Sequence, residues 1–63
     1  MFRIEYLHHE SSHWQGQDGF VSKDEAEQYI KAEGFDTFCE EILLWDEQGS
    51  APDEYDFDTG RFL

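Results

Sequence analysis

The pattern of apolar and polar positions is clearest over residues 21–34, where it predicts one amphipathic helix. Its apolar positions recur three and four residues apart, at Ala26, Tyr29 and Ile30. Ser22 can cap the first turn with its hydroxyl group, and Gly34 can adopt the left-handed conformation that ends a helix. We therefore expect a helix that packs on the rest of the chain through this apolar stripe.

Before the helix, apolar and polar residues alternate over residues 2–7, which predicts a strand with one face on a core. Residues 8–17 are mostly polar and predict a loop or an irregular hairpin, in which Trp14 would cover the core. Residues 19–21 predict a short second strand that leads into the helix.

After the helix, residues 38–45 predict the second long strand of the chain. Its final residues, Ile42–Trp45, are apolar on both faces of a strand. We therefore expect either a central strand of the sheet or a strand whose outer face meets a partner.

The composition changes towards the end of the chain, where acids alternate with aromatic residues over residues 53–58. The order strand, strand, helix, strand predicts an α+β fold, with one helix packed on a small antiparallel sheet of about three strands. We assign residues 1–48 to a single compact domain. Residues 49–63 would form an acidic C-terminal tail or an added edge strand.

The chain has 63 residues, which allows one domain with a small core. Its single cysteine, Cys39, has no partner for an internal disulfide, and no apolar run approaches the roughly 20 residues that span a bilayer. We expect a cytoplasmic protein with no membrane partner. Self-association to a homodimer is one route by which so short a chain can gain stability.

Negative charge is concentrated in one half of the chain. The formal net charge is −12, and residues 32–60 hold ten acids without any lysine or arginine. This charge disfavours direct contact with nucleic acid or an anionic membrane, because both are strongly negative. A basic protein is the favoured partner.

Residues 9–13 match the His-Glu-x-x-His motif of zinc peptidases. Those enzymes also need both histidines on one helix, a third ligand and a substrate cleft. We interpret the match as accidental, and leave open that His8, His9 and His13 bind a regulatory metal ion. Cys39 lies within an expected strand, without groups that would activate its thiol. We predict that the protein is not an enzyme and uses no cofactor.

The composition resembles that of the small acidic inhibitors encoded by bacteriophages and mobile elements, which include anti-CRISPR and anti-restriction proteins and inhibitors of host polymerases. A net charge of −12 corresponds to about 20 Å of duplex DNA, at one charge per about 1.7 Å. The resemblance implies a DNA mimic that occupies the groove of a basic nucleic-acid-binding protein. The resemblance is one of composition and not of a sequence motif, so no functional residues of those inhibitors are assigned to this chain.

We predict that the acids of the C-terminal half form one continuous face that binds this partner. Tyr55, Phe57 and Trp45 would anchor the complex, since exposed carboxylates steer encounter more than they hold a complex. The predicted partner-binding residues are Glu40, Glu41, Asp46, Glu47, Asp53, Glu54, Tyr55, Asp56, Phe57 and Asp58. The alternative hypothesis is a small adaptor or assembly subunit that homodimerises, or adds a strand to a larger complex, through residues 38–45.

Overall fold

The computed structural model describes residues 1–49 and 51–63, which form one sheet and two helices. The strands are β1 (Phe2–His8), β2 (Trp14–Phe20), β3 (Cys39–Trp45), β4 (Asp53–Asp56) and β5 (Arg61–Phe62), and the helices are α1 (Lys23–Glu33) and α2 (Phe35–Phe38). Neighbouring strands are antiparallel in the order β2-β1-β3-β4-β5. The α+β class, the antiparallel sheet and the single main helix confirm the prediction.

Helix α1 begins and ends at the predicted residues. The Ser22 hydroxyl oxygen accepts a hydrogen bond from the Glu25 N–H at 3.1 Å, and Gly34 ends the helix with a φ of 73°. Ala26 and Ile30 are fully buried. The predicted apolar stripe is therefore the face through which α1 packs on the sheet.

The core lies between α1 and one face of β1 and β3. Ile4, Ile30 and Ile42 form its centre and are at most 1% exposed. The Tyr6 ring packs on Phe35 with the ring centroids 4.4 Å apart. Helix α2, which includes Phe38 from the predicted strand 38–45, therefore extends the core beyond α1.

Strand β2 is longer than predicted and occupies part of the predicted loop. It spans Trp14–Phe20 and pairs with β1, although Phe20 is its only buried residue. The expected cover of the core by Trp14 is wrong, because this side chain is 43% exposed. An edge strand can be held by backbone hydrogen bonds on one side alone, so it needs no apolar alternation to form.

The described residues form five strands, and the prediction of about three strands is wrong. Strand β4 pairs with β3, and β5 pairs with β4, within the segment predicted as an acidic tail or an added edge strand. Tyr55 and Phe62 are 6% and 7% exposed, and their rings pack edge to face. Strand alternation turns these rings inward while the neighbouring acids face away from the core. Ser50, which the prediction also placed in this segment, lies outside the described residues.

A buried carboxylate joins the C-terminal strand to the helix. Glu27 is 8% exposed, and its Oε2 accepts a hydrogen bond from the Phe62 N–H at 2.9 Å. The next residue, Leu63, donates its N–H to the Glu54 carbonyl oxygen at 2.9 Å. Strand β5 is therefore held by α1 as well as by β4.

We expect Glu27→Ala to lower the free energy of unfolding by about 1–3 kcal/mol, because it leaves the buried Phe62 N–H without an acceptor. Glu27→Gln keeps an amide oxygen that can accept this bond, so it should lose less. Urea unfolding measures both variants, with the exposed Glu33→Ala on the same helix as control. Equal stability of the two alanine variants would contradict this role of Glu27.

Candidate partner-binding face

The sheet has one face that neither helix covers. Both helices pack on the side of Ile4 and Ile42, so strand alternation turns the intervening side chains to the other side. We call this surface the open face. It includes Arg3, Glu5, Leu7, Glu41, Leu43, Trp45 and Glu54, and also Trp14, which lies opposite Leu7.

Apolar side chains cross the middle of the open face. Leu7, Leu43 and Trp45 are each partly exposed. The register places Leu43 between Glu5 of β1 and Glu54 of β4. The run of residues in β3 that is apolar on both faces thus belongs to a central strand whose outer face is still accessible.

Two residues in the apolar half of β3 have no free edge. This strand pairs with β1 along its length and with β4 at Leu43 and Leu44. Backbone groups that are already paired on both sides are not available to a further strand. Leu43 and Leu44 are therefore not available for strand addition, whereas residues 39–42 pair only with β1 among the described strands.

A depression of about 480 Å³ lies at one end of the open face. Its lining residues are Met1, Arg3, Glu5, Asp18, Trp45, Asp46, Glu47 and Gly49. The Arg3 Nη1 donates a hydrogen bond to the Asp18 Oδ2 at 2.8 Å, and this contact raises the pKa of the guanidinium group. Four carboxylates and an indole ring therefore line this space together with Arg3 and Met1. Arg3 and the Met1 amino group already pair with three of these carboxylates, those of Glu5, Asp18 and Glu47.

Gly16 allows the Arg3 side chain to cross β2. A Cβ atom at residue 16 would collide with the guanidinium group of Arg3. The missing side chain therefore opens the path by which Arg3 reaches Asp18. As a result, the only ionisable side chain of β2 is paired with an opposite charge.

The residues predicted to bind a partner do not form one face. Glu41 and Glu54 lie on the open face, and Asp46 and Glu47 line the depression beside it. Asp53 lies on the helix side, with its carboxylate 3.2 Å from the Nζ of a lysine in α1. Alternation along β4 sends Asp53 and Glu54 to opposite sides, so the prediction of one continuous acidic face is wrong.

Other predicted residues lie at the ends of the strands. Glu40 is the unpaired residue at a register shift between β1 and β3, and its carboxylate is 4.0 Å from the His9 Nδ1. The Asp56 Oδ1 accepts a hydrogen bond from the Asp58 N–H at 3.0 Å, within the turn that joins β4 to β5. Phe57 lies in this turn and is 40% exposed, so a partner can reach it.

Tyr55, predicted as an anchor, is a core residue of this fold. Its ring packs against Phe57 and Phe62 with centroids 5.1 and 5.2 Å away. Burial raises the pKa of its phenol, and the charges of Asp36 and Glu27 raise it further. A partner could contact Tyr55 only by unpacking the core, so Phe57 is the accessible aromatic residue of this segment.

The histidines and the cysteine are not gathered into a site. Within residues 1–49 and 51–63, no group of three or more His, Cys, Asp or Glu side chains could hold a metal ion. Residues 9–13 lie in turns and bends between β1 and β2, which is not the helix that a zinc peptidase requires. Burial raises the pKa of the Cys39 thiol, which disfavours the reactive thiolate.

Sequence reasoning named Trp45 as an anchor and included Leu43 in a strand whose outer face could meet a partner, but it missed Leu7 and Glu5. Leu7 is the first apolar residue that breaks the alternation of β1, and an apolar residue at an outward position is a signal for a contact surface. That signal could have found Leu7. The grouping of all four residues depends on the pairing of β1 with β3.

No protein-family model, no curated protein and no solved structure matches this chain. Neither helix of the described residues is long and apolar enough to cross a membrane. The open face and the depression beside it are the features from which a function can be argued.

We expect Tyr55→Phe to keep or raise the free energy of unfolding at neutral pH, because the buried hydroxyl has no hydrogen-bond partner among the described residues. A phenol with a raised pKa contributes stability that is present below its ordinary pKa of about 10 and is lost as the pH rises through the raised value. The variant should therefore lose less stability in alkali.

Urea unfolding of Tyr55→Phe and the unaltered protein at neutral and alkaline pH measures both effects. A loss of more than about 1 kcal/mol in the variant at neutral pH would show that the hydroxyl group has a partner after all.

Proposed function

We propose that the protein is a non-catalytic binding protein that places its open face on the basic surface of a nucleic-acid-binding protein and so inhibits it. The observation that carries this proposal is the position of Leu7, Leu43 and Trp45 among carboxylates on one uncovered sheet face. The site of action is the bacterial cytoplasm, as for the phage-encoded inhibitors that the composition resembles.

The apolar part of the open face supplies binding energy that carboxylates alone do not. Exposed ion pairs contribute less than about 1 kcal/mol each, whereas desolvated aromatic and aliphatic side chains dominate interfaces. Leu43 and Trp45 both point outward from β3, two residues apart, so one partner can cover both. Glu41 and Glu54 beside them would steer the approach of a basic surface.

The depression beside Trp45 suits a lysine or arginine side chain of the partner. An indole ring attracts a cation placed over its face within about 6 Å. The carboxylate of Asp46 lines the same depression, whereas those of Glu5 and Asp18 are already paired with Arg3. An incoming cation would therefore meet the Trp45 indole ring and the Asp46 carboxylate, or would take the place of Arg3 at Glu5 and Asp18.

The charge of the whole domain is of the same order, per unit length, as that of duplex DNA. The net charge is −12, and the longest extent of the domain is 29 Å. Two of the four basic residues, Arg3 and Lys23, are paired with carboxylates of this chain. Apart from the buried Glu27, the remaining acids face solvent on several sides, so a basic groove can release its counterions to this surface as it does to phosphates.

We expect the immobilised protein to retain a nucleic-acid-binding protein from a bacterial lysate at low salt and to release it when duplex DNA is added. Because charged groups supply the attraction, the affinity should fall about tenfold or more between about 0.05 M and about 0.5 M salt. Mass spectrometry identifies the captured protein, and fluorescence titration measures its affinity. The proposal would be contradicted by a captured protein that binds with equal affinity at both salt concentrations. It would also be contradicted by one that binds DNA and this chain at the same time.

Charge-matched variants distinguish the open face from general acidity. Glu41→Gln with Glu54→Gln removes two charges from the open face, whereas Asp24→Asn with Glu33→Gln removes two exposed charges from α1. The open-face pair should slow association with the captured protein about fivefold or more, and the α1 pair should have a much smaller effect. Equal association rates for the two pairs, measured by stopped flow, would mean that net charge alone controls binding.

A further inference from the structure

The sheet leaves one long edge unpaired. Strand β2 stands at the end of the strand order, and β1 is its only neighbouring strand within the described part of the chain. The opposite edge, β5, has only two residues. Alternate N–H and C=O groups of an edge strand point to solvent, where they can pair with another strand.

Strand β2 lacks most of the features that block such pairing. Proteins protect their edges with lysine, proline, bulges or very short strands. Seven residues long, β2 contains neither lysine nor proline, and its first six residues are exposed. Its pairing with β1 shifts near Asp18 and Gly19, where Gly19 has a φ of 94°. The regular part of the edge is therefore Trp14–Gln17.

The regular part of this edge is uncharged in a chain whose net charge is −12. The carboxylate that follows it, Asp18, is paired with Arg3 at 2.8 Å. A basic segment would find little here to attract it. Two copies of this chain, by contrast, could meet along Trp14–Gln17 without opposing their carboxylates, so the occupant that this edge fits is a second copy.

We propose that two copies of this chain pair antiparallel through Trp14–Gln17 about a twofold axis. Such a pairing is self-complementary, because each strand offers the same backbone groups to the other. It joins two five-stranded sheets into one and brings each Trp14 side chain, which is 43% exposed, against the other copy. The two open faces then lie side by side, and this arrangement does not depend on the proposed function.

The dimer should be weak and should respond to salt in the opposite sense from partner binding. A strand pairing this short buries well under the roughly 1,200 Å² of a stable interface. Two copies that each carry a net charge of −12 repel one another, and salt screens this repulsion. Added salt should therefore strengthen the dimer.

Sedimentation equilibrium of the purified protein tests the proposal. We expect a dimer fraction that rises with protein concentration and with salt. Gln15→Glu with Gln17→Glu places like charges across the twofold axis and should weaken the dimer about tenfold or more. Gln28→Glu with Gln48→Glu adds the same charge elsewhere and should change the dimer much less. All four glutamines are exposed, so both variants should keep the urea midpoint of the unaltered chain.

Hydrogen exchange locates the interface, because the β2 amides that face away from β1 should exchange more slowly as protein concentration rises. A chain that stays monomeric at high salt and high concentration would overturn the proposal, as would a dimer that both variants weaken equally. A monomeric chain whose β2 amides are protected only by a captured basic protein would also overturn it, in favour of strand addition by that partner.

Discussion

The antiparallel register of β1 against β3 decides which side chains this protein buries and which it presents to solvent. Ile4 opposite Leu44 and Tyr6 opposite Ile42 place apolar groups beneath the helices. The residues between them turn to the open face. Because the side-chain period of a strand is two, a shift of one residue would exchange the two sets. The same backbone hydrogen bonds therefore set both the core and the candidate partner-binding face.

The C-terminal strands complete this core although their sequence is strongly acidic. Tyr55 and Phe62 turn inward while neighbouring acids such as Glu54 remain exposed. Among the described residues, Glu27 is the buried charged group, and its bond to the Phe62 backbone ties the last strand to α1. Repulsion among the exposed acids opposes folding in a small domain with little stability to spare. A basic partner would relieve that repulsion.

Charge separates two surfaces with opposite requirements. The open face combines Leu43 and Trp45 with carboxylates, which suits a partner of opposite charge. The β2 edge is neutral because Arg3 passes over Gly16 to reach Asp18, which suits a second copy of the chain. The Arg3–Asp18 ion pair lies at the boundary between these surfaces and belongs to both.

The sequence by itself determined α1, β1 and β3, because their apolar residues repeat at the period of a helix or a strand and the helix caps are local. It also determined the net charge and hence the kind of partner that charge favours. Strands β2, β4 and β5 have weak apolar patterns and form through backbone bonds to neighbouring strands. Tertiary pairing alone decided that Tyr55 is buried and that Asp53 and Glu54 lie on opposite sides of the sheet. It also placed Leu7 and Trp45 on one face. The reason is that the side a strand residue faces depends on the register of its strand.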